Sequence, residues 1–171
     1  MKAAGIALAI AIALALQTTL TRFIVGGTLA IDLVLVVVIY VALTSGSVTG
    51  LLVGTVAGLV QDSMAHSAGV IGIGALAKTV VGFLAGNIGT QFIVTQPLPR
   101  FVVFFGATVL HQVITIGLRV LLGEQPFGAP YAAVAGQALG NAVVGVAAFQ
   151  LVEMLPGAVE RRRAARSRLR R

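Results

Sequence analysis

The sequence predicts an all-α membrane protein, a polytopic bundle of six transmembrane helices joined by short loops. Of its 171 residues 58% are hydrophobic and 10% are charged, whereas a soluble domain carries about 25% charged residues. The apolar residues form runs separated by short segments rich in Gly, Pro and polar residues. Since a membrane-spanning helix needs about 20 mostly apolar residues, the chain has the length for six spans and no further module.

Basic residues concentrate at the C-terminal end. The formal net charge is +7, and arginines crowd residues 158–171. A basic segment beside a span indicates membrane topology and contact with anionic lipid rather than nucleic acid. We therefore predict a six-helix transmembrane domain over residues 1–157 and a basic cytoplasmic tail over residues 158–171.

The apolar runs predict helices over residues 3–21, 29–44, 48–61, 70–94, 101–122 and 131–155. Ser45-Gly46-Ser47 predicts a tight turn, although helices 2 and 3 are short enough to form a single re-entrant hairpin instead. The two prolines at 97 and 99 are expected to end helix 4, and Pro156-Gly157 to close helix 6, since proline disfavours a helix interior.

The charges predict the orientation. With an even number of spans, Lys2, Arg100 and the basic tail share one side, which is the cytoplasmic side because basic residues stay there. Both termini are then cytoplasmic. Asp32 and Asp62 fall on the opposite side, where we expect them to anchor a helix start and a loop, since a carboxylate is favourable near a helix N-terminus.

Glycines at four-residue spacing predict close helix packing. Small residues at this spacing allow two backbones to approach inside a membrane. The spacing occurs on three predicted helices, at Gly50, Gly54 and Gly58, at Gly82 and Gly86, and at Gly136 and Gly140. Packing within the bundle is the main interpretation, and docking of a partner helix is the alternative.

Polar residues recur at the middle of helices 4, 5 and 6. Lys78 lies roughly 13 Å inside helix 4, where an unpaired charge costs at least about 2.5 kcal/mol. His111, Gln112 and Asn141 reach a similar depth by counting. We predict that these four residues form an interior polar cluster that positions a partner helix or a lipid. A satisfied hydrogen-bond network is the alternative, and a proton relay is disfavoured because no acid is expected at that depth.

No pattern of an enzyme is present. The sequence has no cysteine, which excludes a thiol nucleophile and Cys-ligated zinc. It also lacks a Ser-His-Asp set, a P-loop and paired carboxylates. Asp62 and His66 alone are too few ligands for a metal. We expect neither catalysis nor a cofactor.

Two short elements resemble a known family. The stretch GLVQD at 58–62, the glycines at 69 and 72, and the stretch GFLAG at 82–86 resemble the MreD family of bacterial rod-shape-determining proteins. Asp32-Leu33 and Ala42-Leu43, at the two ends of helix 2, are also similar. The likeness is good over residues 30–90 and elsewhere rests on hydropathy.

The resemblance implies a non-catalytic scaffold in the bacterial inner membrane that serves side-wall peptidoglycan synthesis during cell elongation. Its implied partners are MreC, a bitopic membrane protein, together with MreB and the elongation glycosyltransferase and transpeptidase. The family is also similar in fold to the S components of energy-coupling-factor transporters. A vitamin-binding S component is therefore the alternative function, although Lys78, Asp62 and Arg119 are few polar groups for a vitamin site.

Overall fold

The computed structural model describes residues 2–23, 31–64, 70–91, 96–123 and 131–168. These residues form six helices, which are α1 (Lys2–Phe23), α2 (Leu33–Ser45), α3 (Ser47–Met64), α4 (Ile73–Gln91), α5 (Pro97–Leu121) and α6 (Tyr131–Arg168). The predicted all-α class is confirmed. Most of the predicted loops, including His66, lie outside the described residues.

The prolines at 97 and 99 begin α5, and the start predicted at residue 101 is too late. Gln96 is the N-cap, and Pro97 occupies the first helical position. The first turn of a helix has no intrahelical partner for its N–H groups, so a residue without an N–H loses nothing there. Proline thus acts here as a start signal.

The predicted end of helix 6 at Pro156-Gly157 is wrong. Helix α6 continues without a break from Tyr131 to Arg168. Proline removes one backbone hydrogen bond from the helix, but the segment that follows is rich in Ala and Arg, which favour helix. The basic segment is therefore a continuation of α6 as far as residue 168.

Consecutive helices run in opposite directions. Contacts occur in reversed order along paired helices, since Gly50 of α3 meets Gly82 of α4 whereas Gly58 meets Ala75. The side-chain bonds between α5 and α6 follow the same reversed order. Three helix ends meet at one end of the bundle. They are the start of α1, the end of α2 and the end of the apolar part of α6, since Gly5, Ser45 and Val152 line the same groove. We call this the basic end.

Three helical segments in the described part of the chain meet both the length and the apolar composition of a membrane span. They are Ile73–Gln91, Pro97–Leu121 and Tyr131–Met154. Ala4–Thr19 and Leu33–Ser45 are apolar but shorter. These segments are consistent with a membrane protein, and the count of six spans stays a prediction.

Helix α2 is the centre of the bundle. Its Val- and Ile-rich sequence is buried on almost every side, and Val34, Val38 and Ile39 have no exposed surface. It ends at Gly46, whose φ of 90° suits glycine and turns the chain into α3. With 13 residues, α2 is only about 20 Å long, shorter than the roughly 30 Å hydrocarbon layer. One end of α2 therefore lies inside the bundle.

Helices α3 and α4 touch backbone to backbone. A Cβ added at Gly50 or Gly54 would overlap the carbonyl oxygen of Gly82 or Lys78, and one at Gly58 would overlap Ala75. Gly86 likewise lies against the backbone of Ser47. The hydroxyls of Thr55 and Thr79 join the two helices at 2.8 Å. The glycine spacing thus marks the closest helix pair of the described bundle.

The glycines of α6 pack less closely at the predicted positions. A Cβ at Gly140 would stand 3.3 Å from Ile31, a tight contact with a side chain rather than with backbone. Gly136 is half-buried. The closest approach on α6 is at Gly145, which the spacing does not single out and which lies against the ring of Phe104.

We expect Gly54→Ala to destabilise the bundle by about 1–3 kcal/mol, the usual penalty for overpacking, because the new methyl group would push α3 away from the Lys78 carbonyl. The measurement is the apparent melting temperature in mild detergent. Gly106→Ala is the matched control, since a Cβ there meets nothing within 4 Å. Equal melting temperatures for the two variants would contradict the close α3–α4 contact.

Candidate functional site

The candidate site is built around a buried ion pair. Lys78 on α4 is 2% exposed, and its Nζ lies 2.9 Å from Oδ2 of Asp32, which is 5% exposed. The expectation that no acid reaches the depth of Lys78 is therefore wrong. The reason is the length of α2, which is too short to carry its first residues to the surface.

Asp32 also fixes the start of α2, as predicted for a helix-end anchor. Its Oδ1 accepts a hydrogen bond from the backbone N–H of Leu35 at 2.9 Å, a helix-capping bond. Its own backbone N–H donates to Oδ1 of Asn141 on α6 at 3.0 Å. One residue therefore connects α2 to both α4 and α6.

His111 joins the ion pair from α5. Its Nε2 lies 3.2 Å from Nζ of Lys78. An ammonium group can only donate, so Nε2 accepts and the ring hydrogen is carried by Nδ1. Nδ1 is buried and has no hydrogen-bond partner among the described residues.

Asn141 and Thr108 complete the set. The amide of Asn141 donates to Oγ1 of Thr108 at 3.3 Å, and that hydroxyl donates to the carbonyl oxygen of Phe104 at 2.8 Å. We call Asp32, Lys78, Thr108, His111 and Asn141 the interior polar cluster. It draws one or more groups from each of α4, α5 and α6 and from the start of α2, so it sets the relative position of four elements.

The structure brings together three of the four residues predicted for the cluster. Lys78 binds His111 directly, and Asn141 is linked to Lys78 through Asp32. Gln112 instead donates to Gln137 on α6. Asp32 and Thr108 were not predicted as members. The signal for Asp32 was present in the sequence, since a predicted helix of 16 residues is about 24 Å long and cannot cross the hydrocarbon layer.

The chemistry open to the cluster is limited. The ion pair is neutral overall, and its neighbours are an amide, a hydroxyl and an imidazole. The other carboxylates whose side chains are described bind elsewhere, Asp62 to backbone N–H groups and Glu153 to Arg100. The structure therefore supplies an acid at this depth, but no described chain of titratable groups leads from it to either end. No group of three potential metal ligands occurs among the described residues.

Comparison with known proteins decides the family. The family model for MreD, the rod shape-determining protein, matches residues 3–155. The chain belongs to the MreD family. The resemblance carried by GLVQD and GFLAG is thereby confirmed, and the chain is assigned to rod-shape determination. No curated protein matches the chain, and no solved structure matches it, so the likeness to transporter S components stays a prediction.

In this MreD-family chain the GLVQD element has a clear structural role. Oδ2 of Asp62, at the end of α3, accepts hydrogen bonds from the backbone N–H groups of Gly72 at 3.0 Å and Ala75 at 3.1 Å. These N–H groups open α4 and have no partner within it. Gly74 leaves room for the carboxylate, because a Cβ there would overlap Oδ1. Asp62 is thus an anchor, as predicted, and it caps α4 from the neighbouring helix.

A second ion pair lies toward the basic end. Arg100 is 4% exposed, its Nη1 donates to Glu153 at 2.9 Å, and its guanidinium lies 4.4 Å from the ring centre of Phe149. Tyr40 of α2 packs against the same Phe149 ring, with the two ring centroids 4.5 Å apart. Arg100, counted from the sequence as a topology charge, therefore also ties α5 to α6.

We expect Lys78→Met alone to destabilise the protein by about 3–5 kcal/mol, because it leaves the Asp32 carboxylate buried without its counter-charge. The double variant Asp32→Asn/Lys78→Met should recover most of that loss, since no charge is then buried and an amide oxygen can still accept from Leu35. Apparent melting temperatures of the three proteins in the same detergent test this. A double variant no more stable than the single one would show that the ion pair is not the main interaction of Lys78.

Proposed function

We propose that this chain is a non-catalytic inner-membrane scaffold of the bacterial cell-elongation machinery, and that it maintains rod shape by binding MreC and the side-wall synthases. The observation that carries the proposal is membership of a rod shape-determining family over residues 3–155. The neutral, enclosed cluster supports a structural rather than a catalytic role, because it offers no activated nucleophile.

The packing of the bundle supports a scaffold. The interior polar cluster holds four elements together, and the glycines of α3 and α4 hold a fifth. A surface that is already ordered loses less entropy when a partner binds. Since every cluster member is buried, we propose that the cluster positions a partner through the placement of the helices rather than by touching it.

The transporter alternative has little support. Two of the three groups expected to meet a vitamin are occupied, since Lys78 binds Asp32 and His111 and Asp62 binds backbone N–H groups of α4. No comparison points to a transporter. The alternative nevertheless predicts a distinct result. The purified chain should bind a vitamin, Lys78→Met should abolish that binding, and the double variant should not restore it.

We expect both termini in the cytoplasm, because the alternating helices bring the start of α1 and the apolar end of α6 to the same end of the bundle and that end carries the basic residues. Reporter fusions after Gly46, Gln96 and Arg171 should be cytoplasmic, and fusions after Gly27, His66 and Glu124 should be periplasmic. A periplasmic C-terminal reporter would contradict the orientation and the even number of spans.

The scaffold proposal predicts that function follows the stability of the cluster. Tagged wild-type chain, purified in mild detergent, should retain MreC, and Lys78→Met should retain several-fold less because the bundle is loosened. Asp32→Asn/Lys78→Met should restore both MreC retention and rod shape in cells that lack the native protein.

A double variant that is stable but still loses MreC and cell shape would contradict this role. It would show that the charged groups themselves bind a ligand or partner. Gly106→Ala, on an open face of α5, serves as the control for nonspecific effects of substitution.

A further inference from the structure

An open apolar groove lies between α1, α2 and α6 at the basic end. Its volume is about 390 Å³, within the roughly 300–1,000 Å³ range of ligand pockets. One wall is α1 with Gly5, Ile6 and Ala9, the second is α6 with Ala148 and Val152, and the third is α2 from Val36 to Ser45. Helix α1 stands apart from α6 along this groove.

The groove has the length of one leaflet. From Val36 to Ser45 the axis of α2 rises about 13 Å, close to half of the roughly 30 Å hydrocarbon layer. This length suits a single acyl chain of one leaflet.

The sequence is basic where two walls of the groove continue beyond it. Helix α1 begins at Lys2, three residues before Gly5, and α6 runs without interruption from the groove wall into its arginines. Basic residues just beyond the hydrocarbon layer attract anionic lipid headgroups.

We propose that this groove is a binding site for an anionic phospholipid of the cytoplasmic leaflet. One acyl chain lies between α1, α2 and α6, and the headgroup lies at the end of the groove where α1 begins and α6 continues into its basic sequence. The site is independent of the interior polar cluster and of the scaffold proposal, since it shares no residue with the cluster.

Gly5 gives a substitution that fills the groove without disturbing the bundle. A Cβ at Gly5 meets nothing within 4 Å, although the residue lines the groove. Gly5→Leu should therefore occupy the space of the acyl chain and leave the helix contacts unchanged. Gly106→Leu is the matched control, because Gly106 is equally open but lies on α5, away from the groove.

Tyrosine fluorescence can report on the groove. The chain has two tyrosines and no tryptophan, and Tyr40 lines the groove, so Tyr131→Phe leaves Tyr40 as the single reporter. This protein is reconstituted into phosphatidylcholine vesicles that contain increasing fractions of acyl-brominated phosphatidylglycerol or acyl-brominated phosphatidylcholine. Bromine quenches tyrosine only at close range, and bulk lipid contact affects both titrations equally.

We expect half-maximal quenching at an at least fivefold lower fraction of brominated phosphatidylglycerol than of brominated phosphatidylcholine. Fivefold corresponds to about 1 kcal/mol, the contribution of one basic residue near the surface. Gly5→Leu should abolish this preference, and Gly106→Leu should keep it. Changing the arginines at 161, 162, 163 and 166 to Gln should reduce the preference at least twofold while the quenching by phosphatidylcholine stays the same.

Equal quenching by the two lipids in the unsubstituted protein would overturn the proposal, as would an undiminished preference in Gly5→Leu. Loss of the preference when MreC is reconstituted in the same vesicles would assign the groove to a partner helix and would also overturn it. The arginine variant tests the site even if Gly5→Leu fails to fold. These results are separate from the test of the scaffold proposal, which measures MreC retention by Lys78→Met and by Asp32→Asn/Lys78→Met.

Discussion

The ion pair between Asp32 and Lys78 is the interaction on which the arrangement of the bundle depends. In an apolar interior neither charge is tolerable alone, so α2 and α4 must stay where the two side chains meet at 2.9 Å. Asn141 and His111 then bind the same pair from α6 and α5. Apolar packing against lipid is nonspecific. The polar contact, in contrast, forms only at one relative placement of the helices.

The backbone geometry that allows this contact comes from two further features. The shortness of α2 leaves its capped start inside the bundle, where Asp32 can serve both its own helix and Lys78. The glycines of α3 bring that helix onto the backbone of α4, beside Lys78 itself. Asp62 then closes the hairpin by capping α4. The family-like elements of the sequence are therefore the ones that hold α3 and α4 in place.

The interior of the molecule and its basic end have different characters. The interior polar cluster is enclosed and neutral, which suits a fixed structural element, whereas the basic end combines an open apolar groove with charge on a continuing helix. A scaffold of this kind keeps its interior constant and offers its surfaces to other molecules. The proposed roles of the two regions, in partner placement and in lipid binding, are accordingly separable by substitution.

The sequence by itself determined the helical class, the existence of six helices, and the family, because apolar runs, glycine spacing and short motifs are local properties of the chain. It also placed Lys78, His111 and Asn141 at one depth by counting along each helix. Only the tertiary structure decided that Asp32 is the partner of Lys78, that Gln112 binds Gln137 instead, and that the prolines at 97 and 156 begin or sit within helices. These outcomes depend on which helices become neighbours and on how deep a short helix lies, and neither is encoded in the periodicity of a single segment.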